Sequence, residues 1–172
     1  LTASDAYRWQ NFARELATNE AYAHINKDAA FRFWGISHST IYVPLDERTS
    51  PDPYLAHIPE RDIETPFGTQ LTIINPARII RQLNEEYSQL YGVPGRITSK
   101  SPLRPDNAPD SWELEALTAL EQGEKHYSAY TQIEGKPYLR MMSPMIAQES
   151  CIICHTTYTI DEIAGGVAVA VP

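Results

Sequence analysis

The chain has 172 residues, of which 42% are hydrophobic and 21% are charged, so it can bury the core of one globular domain. Its formal net charge of −8 argues against a nucleic acid or an anionic membrane surface as a partner, because both require basic patches. No apolar run approaches the roughly 18 residues of a membrane-spanning helix, and no signal peptide is recognisable. The chain begins at Leu1 instead of a methionine, and we therefore expect an upstream segment.

One long helix is predicted for residues 3–34, which contain neither proline nor glycine. Gly35 is predicted to end it, so we assign residues 1–36 to an N-terminal helical segment and residues 37–172 to a separate domain. The large apolar side chains of this helix recur at helical spacing, and we expect them to be packing residues: Tyr7, Trp9, Phe12, Leu16, Tyr22, Ile25, Phe31 and Trp34.

The following segment combines short strands with a proline-rich stretch. A β-branched and aromatic run at 40–45 predicts a strand, and the many prolines in and around 46–67 predict a long loop. A second strand is predicted at 68–74. A helix should then run from Asn75 to about Tyr91, since proline in its first turn has no N–H to leave unpaired.

The second half of the chain is predicted to add most of a sheet. Asp110 and Glu113 have capping-box spacing, which predicts a helix that stops at Gly123. Period-two patterns and turn residues predict a short strand, a hairpin and an apolar final strand at 96–99, 127–133, 137–146 and 165–171. The predicted class is α+β, an antiparallel sheet with helices on one face and a long N-terminal helix.

Both cysteines lie in the sequence Cys151-Ile152-Ile153-Cys154-His155. C-x-x-C-H is the attachment signature of c-type haem, in which the thiols add to the two vinyl groups and the imidazole binds the iron. A disulfide or a chance pair of thiols is the alternative. A structural zinc site would require about four ligands, and no second cysteine pair exists. We therefore expect one covalent haem c per chain, with His155 as the proximal ligand.

The motif leaves the second axial ligand open. His38 is favoured, because it lies beside a predicted strand start. An open site, or one of the other histidines and methionines, is the alternative: His24, His57, His126, Met141, Met142 or Met145. Guanidinium groups match carboxylates in a bidentate fork, so Arg96, Arg104 and Arg140 are candidates for binding the haem propionates.

Residues 68–172 resemble the c-haem domains with a PAS-like fold that occur as small haem proteins and as extracytoplasmic sensor parts of bacterial histidine kinases and cyclic-dinucleotide enzymes. The segment Ser37–Pro44 resembles the longer, membrane-bound version. In a short relative the distal ligand is a cysteine on the helix that here starts near Asn75, whereas this chain has no spare cysteine. The resemblance is carried by these segments: Leu71–Pro76, Arg96–Ser99, Asn107–Asp110, Tyr138–Pro144, Cys151–His155 and Gly165–Val167.

The resemblance implies a PAS-like sheet and a sensor module of a membrane-anchored signalling protein, with redox poise or a diatomic gas as stimulus. The haem-attachment motif implies a periplasmic location, because bacteria attach haem c outside the cytoplasmic membrane. A homodimer is a candidate assembly. A periplasmic monohaem electron carrier is the alternative. We predict no enzymatic activity within this chain, because no paired carboxylates, nucleophile triad or phosphate-binding loop stands out.

Overall fold

The computed structural model describes residues 2–152, 155 and 157–172, apart from the side chain of Tyr91. The motif residues Ile153 and Cys154 lie outside the described residues. The helices are α1 (Ala3–Ser37), α2 (Pro76–Tyr91), α3 (Ser111–Glu121) and the short α4 (Glu149–Ile152). The strands are β1 (Tyr42–Pro44), β2 (Asp62–Glu64), β3 (Gln70–Ile73), β4 (Gly95–Thr98), β5 (Tyr127–Ile133), β6 (Lys136–Ile146) and β7 (Ile163–Val171).

Two antiparallel sheets confirm the α+β class. The smaller sheet has the order β1-β3-β2, and the larger has the order β4-β7-β6-β5, with the C-terminal strand between two neighbours. The prediction of a single sheet is therefore wrong. Part of the difference lies in the stretch predicted to be a loop, which contains a 3-10 turn at Pro53–Leu55 and the strand β2.

Helices pack on both faces of the larger sheet, so the prediction of helices on one face is also wrong. Successive strand residues point to opposite faces. Met141 accordingly packs with Ile25 of α1, whereas Met142 packs with Leu117 of α3. A helical layer therefore covers each face, and the glycines of β7 allow close contact: a Cβ on Gly166 would overlap the Met142 side chain.

Helix α1 is the longest element and is only partly packed. A capping box between Thr2 and Asp5 starts it, and it continues two residues beyond Gly35. Its buried positions follow alternating four- and three-residue steps, Ala21, Ile25, Asp28, Arg32 and Gly35, which is the spacing of one helix face. The first part lies in solvent: Trp9 is 63% exposed and Phe12 52%. The packing role predicted for the aromatic stripe is thus wrong for its N-terminal members and for Trp34, which is 52% exposed.

Gly35 allows α1 to cross the start of α2. A Cβ at this position would lie 2.7 Å from Cγ of Pro76, which is too close for an unshifted backbone. None of the helices in the described ranges is long and apolar enough to span a bilayer.

Candidate cofactor site

A cavity of about 290 Å³ lies between the end of α1, the smaller sheet, the start of α2 and the edge of the larger sheet. Its size is at the lower end of small-molecule pockets, which hold about 300–1,000 Å³. The lining is mainly apolar, with isoleucine as the commonest residue. Representative apolar lining residues are Ile36, Ile41, Leu55, Ile58, Ile73, Ile74, Pro76 and Ile97.

Cys151 and His155, the described reactive members of the motif, both line this cavity. Cys151 is a free, half-buried thiol at the end of α4. Its carbonyl oxygen accepts a hydrogen bond from the His155 amide at 2.9 Å, so the two residues lie close together. They therefore present a thiol and an imidazole to one space.

Burial lowers the pKa of His155, which favours the neutral imidazole. The neutral form is the one that binds a metal.

The Tyr158 ring stacks on the His155 ring and supports it. The two rings stack with centroids 4.9 Å apart and an interplanar angle of 15°. The Tyr158 hydroxyl lies 3.0 Å from Ser99 Oγ and donates to the Ser101 carbonyl oxygen at 3.2 Å. Ser99 Oγ in turn donates to the Ala164 carbonyl oxygen at 2.7 Å. The imidazole is thus supported by groups from the end of β4 and the start of β7.

Four charged side chains line the cavity among the described residues: Arg32, Arg81, Arg104 and Asp52. Three guanidinium groups and one carboxylate leave a net formal charge of two positive units. The pKa of Arg32 is lowered, because the effect of burial exceeds the opposite effect of nearby Cys151. Burial also lowers the pKa of Arg81, and the positive charge of Arg104 lowers it further. The cavity is therefore an apolar space with an excess of cationic side chains.

Of the three predicted arginines, the structure brings only Arg104 to the cavity. Arg96 and Arg140 point to the α3 face of the larger sheet, where Arg96 Nε lies 3.3 Å and Arg140 Nη2 lies 3.4 Å from Glu113 Oε1. The alternation of strand side chains explains this position, because both residues have the parity that faces α3. Their predicted role toward propionates gains no support from their location.

His38 follows the last residue of α1 and is exposed. Its Nδ1 donates to the Trp34 carbonyl oxygen at 2.7 Å, and its ring lies 4.4 Å from that of Trp34. The adjacent Ser39 and Thr40 line the cavity, but His38 does not. Its assignment as an axial ligand stays a prediction.

The three methionines, all described, have different surroundings. Met141 and Met142 are buried in the two cores on either side of the larger sheet, and Met145 lines the cavity. Met145 pairs with Gly165, where the β6–β7 register shifts. Met145 is therefore the one methionine of the three that lines the same cavity as Cys151 and His155.

Sequence reasoning missed Arg32, Arg81 and Tyr158. For Arg32 a signal existed, since it follows Ile25 by seven residues on the buried face of α1. Arg81 follows Arg78 by three residues, which gives them a common helix face. Neither pattern indicates a cavity until the two helices are packed together.

The fold and the site define a small α+β domain with an internal apolar cavity, into which a C-terminal segment presents a cysteine and a histidine. The chain belongs to the Tll0287-like family, whose model matches residues 10–172. This membership confirms the resemblance drawn from the sequence segments. The chain is also similar in structure to the cyanobacterial heme-protein Tll0287, at a TM-score of 0.48 and 13% identity over 58% of this chain and 73% of that one. No curated protein sequence matches it.

Proposed function

We propose that this chain is an extracytoplasmic sensor domain that binds one haem c covalently through Cys151 and Cys154, with His155 as an axial ligand. The observation that carries the proposal is that Cys151 and His155 line the same apolar cavity. The C-x-x-C-H spacing and this shared cavity are independent, because one is a property of five adjacent residues and the other of the whole fold.

The lining suits haem in two respects. Haem is a large apolar ring with two carboxylates, and the cavity combines isoleucine walls with an excess of two positive charges on its charged lining residues. In addition, burial keeps His155 in its neutral, ligating form by lowering its pKa. Once Cys151 and Cys154 had formed thioether bonds to haem, their sulfur atoms would be uncharged, which suits this apolar space.

For the second axial ligand, the position of Met145 in the lining supports a thioether over the imidazole of His38. Methionine and histidine are both established haem ligands. Spectra of His38→Ala and Met145→Leu variants separate them. We expect the first to keep the wild-type low-spin bands and the second to become high-spin. Loss of the low-spin bands in His38→Ala alone would assign His38 instead.

Bound haem would supply a redox change and a coordination site for a small ligand such as a diatomic gas. The chain's contribution is to couple the cavity to α1. Arg32, Gly35 and Ile36 of this helix line the cavity, and the same helix extends into solvent from Ala17, which packs on the core, back to Ala3. If a change at the haem stabilised one of two positions of α1 by a few kcal/mol, it would shift the populations of these two positions.

The attachment is tested by expressing wild type and the double variant Cys151→Ala/Cys154→Ala with a haem-attachment system in the periplasm. Wild type should keep haem through a denaturing gel, and the double variant should lose it. Covalent haem in the double variant, or its absence from wild type, would refute the proposal. The sensor role is tested separately by the full-length reading frame: flanking membrane helices with an output domain favour a sensor, and their absence favours an electron carrier.

A further inference from the structure

We propose that Arg81 and Arg104 form the carboxylate-binding end of the cavity and receive the haem propionates, whereas Arg32 lies near the thioether-forming Cys151. The inference rests on the proposed haem function and assigns an orientation to the group within the cavity. It replaces two of the three arginines that sequence alone suggested.

Arg32 is associated with the cysteine end. It interacts electrostatically with Cys151, and its Nη2 donates to the Ile146 carbonyl oxygen at 3.4 Å. Ile146 belongs to the end of β6, a few residues before the motif. The vinyl-derived edge of haem would be held here, and the propionates lie on a different edge of the ring.

Arg81 and Arg104 belong to another part of the lining. Arg81 is in the second turn of α2, and Arg104 is in the link that follows β4. Each is close enough to influence the other, and buried Arg78 adds a further positive charge. Three guanidinium groups in one neighbourhood repel one another unless an anion is present.

The anions that the described residues supply are insufficient for Arg81. Its ion pair with Glu85 is long, with Nε 3.8 Å from Oε1, and Glu85 is largely exposed. Asp52, the other acidic neighbour, raises the pKa of Arg81, and it also accepts a hydrogen bond from the Tyr54 amide at 3.0 Å. Among the described residues, Arg81 therefore combines one long ion pair with two cationic neighbours on a half-buried guanidinium group.

Arg104 has a partner that a ligand can replace. It pairs with Asp106 Oδ2 at 3.0 Å, but the Asp106 side chain is 72% exposed, and exposed ion pairs are worth little. The start of α2 adds to the same field, because Asn75, Pro76 and Ala77 line the cavity and the N-terminal end of a helix is electropositive. Two carboxylates at this end would be bound by the guanidinium groups of Arg81 and Arg104 and stabilised by the dipole of α2.

The test uses the haem-loaded protein and the variants Arg81→Gln, Arg104→Gln and Arg32→Gln. Arg48→Gln is the matched control, since Arg48 is exposed, pairs with Asp46 and Glu86, and does not line the cavity. Covalent haem on a denaturing gel is measured first. Resonance Raman spectra then report the propionate bending bands, and a redox titration gives the midpoint potential.

We expect Arg81→Gln and Arg104→Gln each to shift the propionate bands and to lower the midpoint potential, while Arg32→Gln and Arg48→Gln leave the propionate bands at their wild-type positions. Two separate variants keep the test valid if one of them fails to fold. Unshifted bands in both would overturn the inference alone, as would a shift in Arg32→Gln only. A wild-type chain without covalent haem would overturn the proposed function itself.

Discussion

Replacing Glu113 by glutamine tests the ion cluster that joins α3 to the larger sheet. The Glu113 side chain is fully buried, and its Oε1 lies between Arg96 and Arg140 at 3.3 and 3.4 Å. Its Oε2 accepts the Asp110 amide at 2.9 Å as part of the capping box of α3. Glutamine keeps the shape and the acceptor for this amide, so the substitution removes mainly the charge.

The expected loss of unfolding free energy is about 3 kcal/mol. Removing one partner of a buried ion pair typically costs about 3–5 kcal/mol, because a charge is left uncompensated. The lower end applies here. Arg140 keeps its contact to Asp110 Oδ2 at 2.9 Å and its position over the Trp112 ring, and the Arg96 side chain is 44% exposed. A domain with about 5–15 kcal/mol of stability would remain folded or become marginal.

Urea unfolding of the haem-loaded protein, followed by far-ultraviolet circular dichroism, measures this loss. Glu121→Gln is the control, because Glu121 pairs with Lys100 at the surface, with both side chains at least one-third exposed. We expect less than about 1 kcal/mol for the control. If Glu113→Gln is within 1 kcal/mol of wild type, roughly the value of an exposed pair, the cluster does not hold the helix as argued.

Other parts of the structure give three further predictions. A Cβ on Gly165 would overlap the Thr98 carbonyl oxygen, so Gly165→Ala should lower the thermal midpoint by separating β4 from β7, at a cost of about 1–3 kcal/mol; an unchanged midpoint would contradict the packing. Burial alone would raise the pKa of Asp110, but the hydrogen bonds from the Glu113 amide and the Arg140 side chain lower the pKa below its ordinary 3.8. Its contribution to stability is therefore complete above that pH and lost as the pH falls through the lower folded value, and Asp110→Asn should remove this part of the acid dependence. Tyr158→Leu should broaden the electron paramagnetic resonance signal of the ferric protein by freeing the His155 ring, Tyr158→Phe should largely keep it, and identical spectra would show that the stacking has no orienting role.

Local signals predicted the elements of this fold well. The capping box at Asp110 predicted the start of α3, and α3 begins at the next residue. Asn75 and Pro76 likewise predicted the start of α2. Such signals act within four residues of chain, so they do not depend on the rest of the fold. They cannot say how many sheets form, which depends on pairings such as Tyr42 with Ile73.

The site was predictable at one end and not at the other. His155 and Cys151 were predicted together because the attachment chemistry of haem c would require them at a fixed spacing, and both line the cavity. No sequence motif fixes the positions of the arginines that line the cavity. Arg32 and Arg81 lie about fifty residues apart in the chain, on different helices. From the sequence alone Arg140 was an equally good candidate, but its position in β6 makes its side chain face α3.

The contact between Gly35 and Pro76 is the point at which α1 and the cavity are mechanically joined. Both residues line the cavity, and the two helices are so close there that a Cβ on Gly35 has no room. Well-packed interfaces of this kind change between discrete arrangements instead of deforming gradually. A displacement of the α2 start, which lies beside the proposed carboxylate end, must therefore move α1 or break the contact. The exposed N-terminal part of α1, before Ala17, would carry that movement away from the domain.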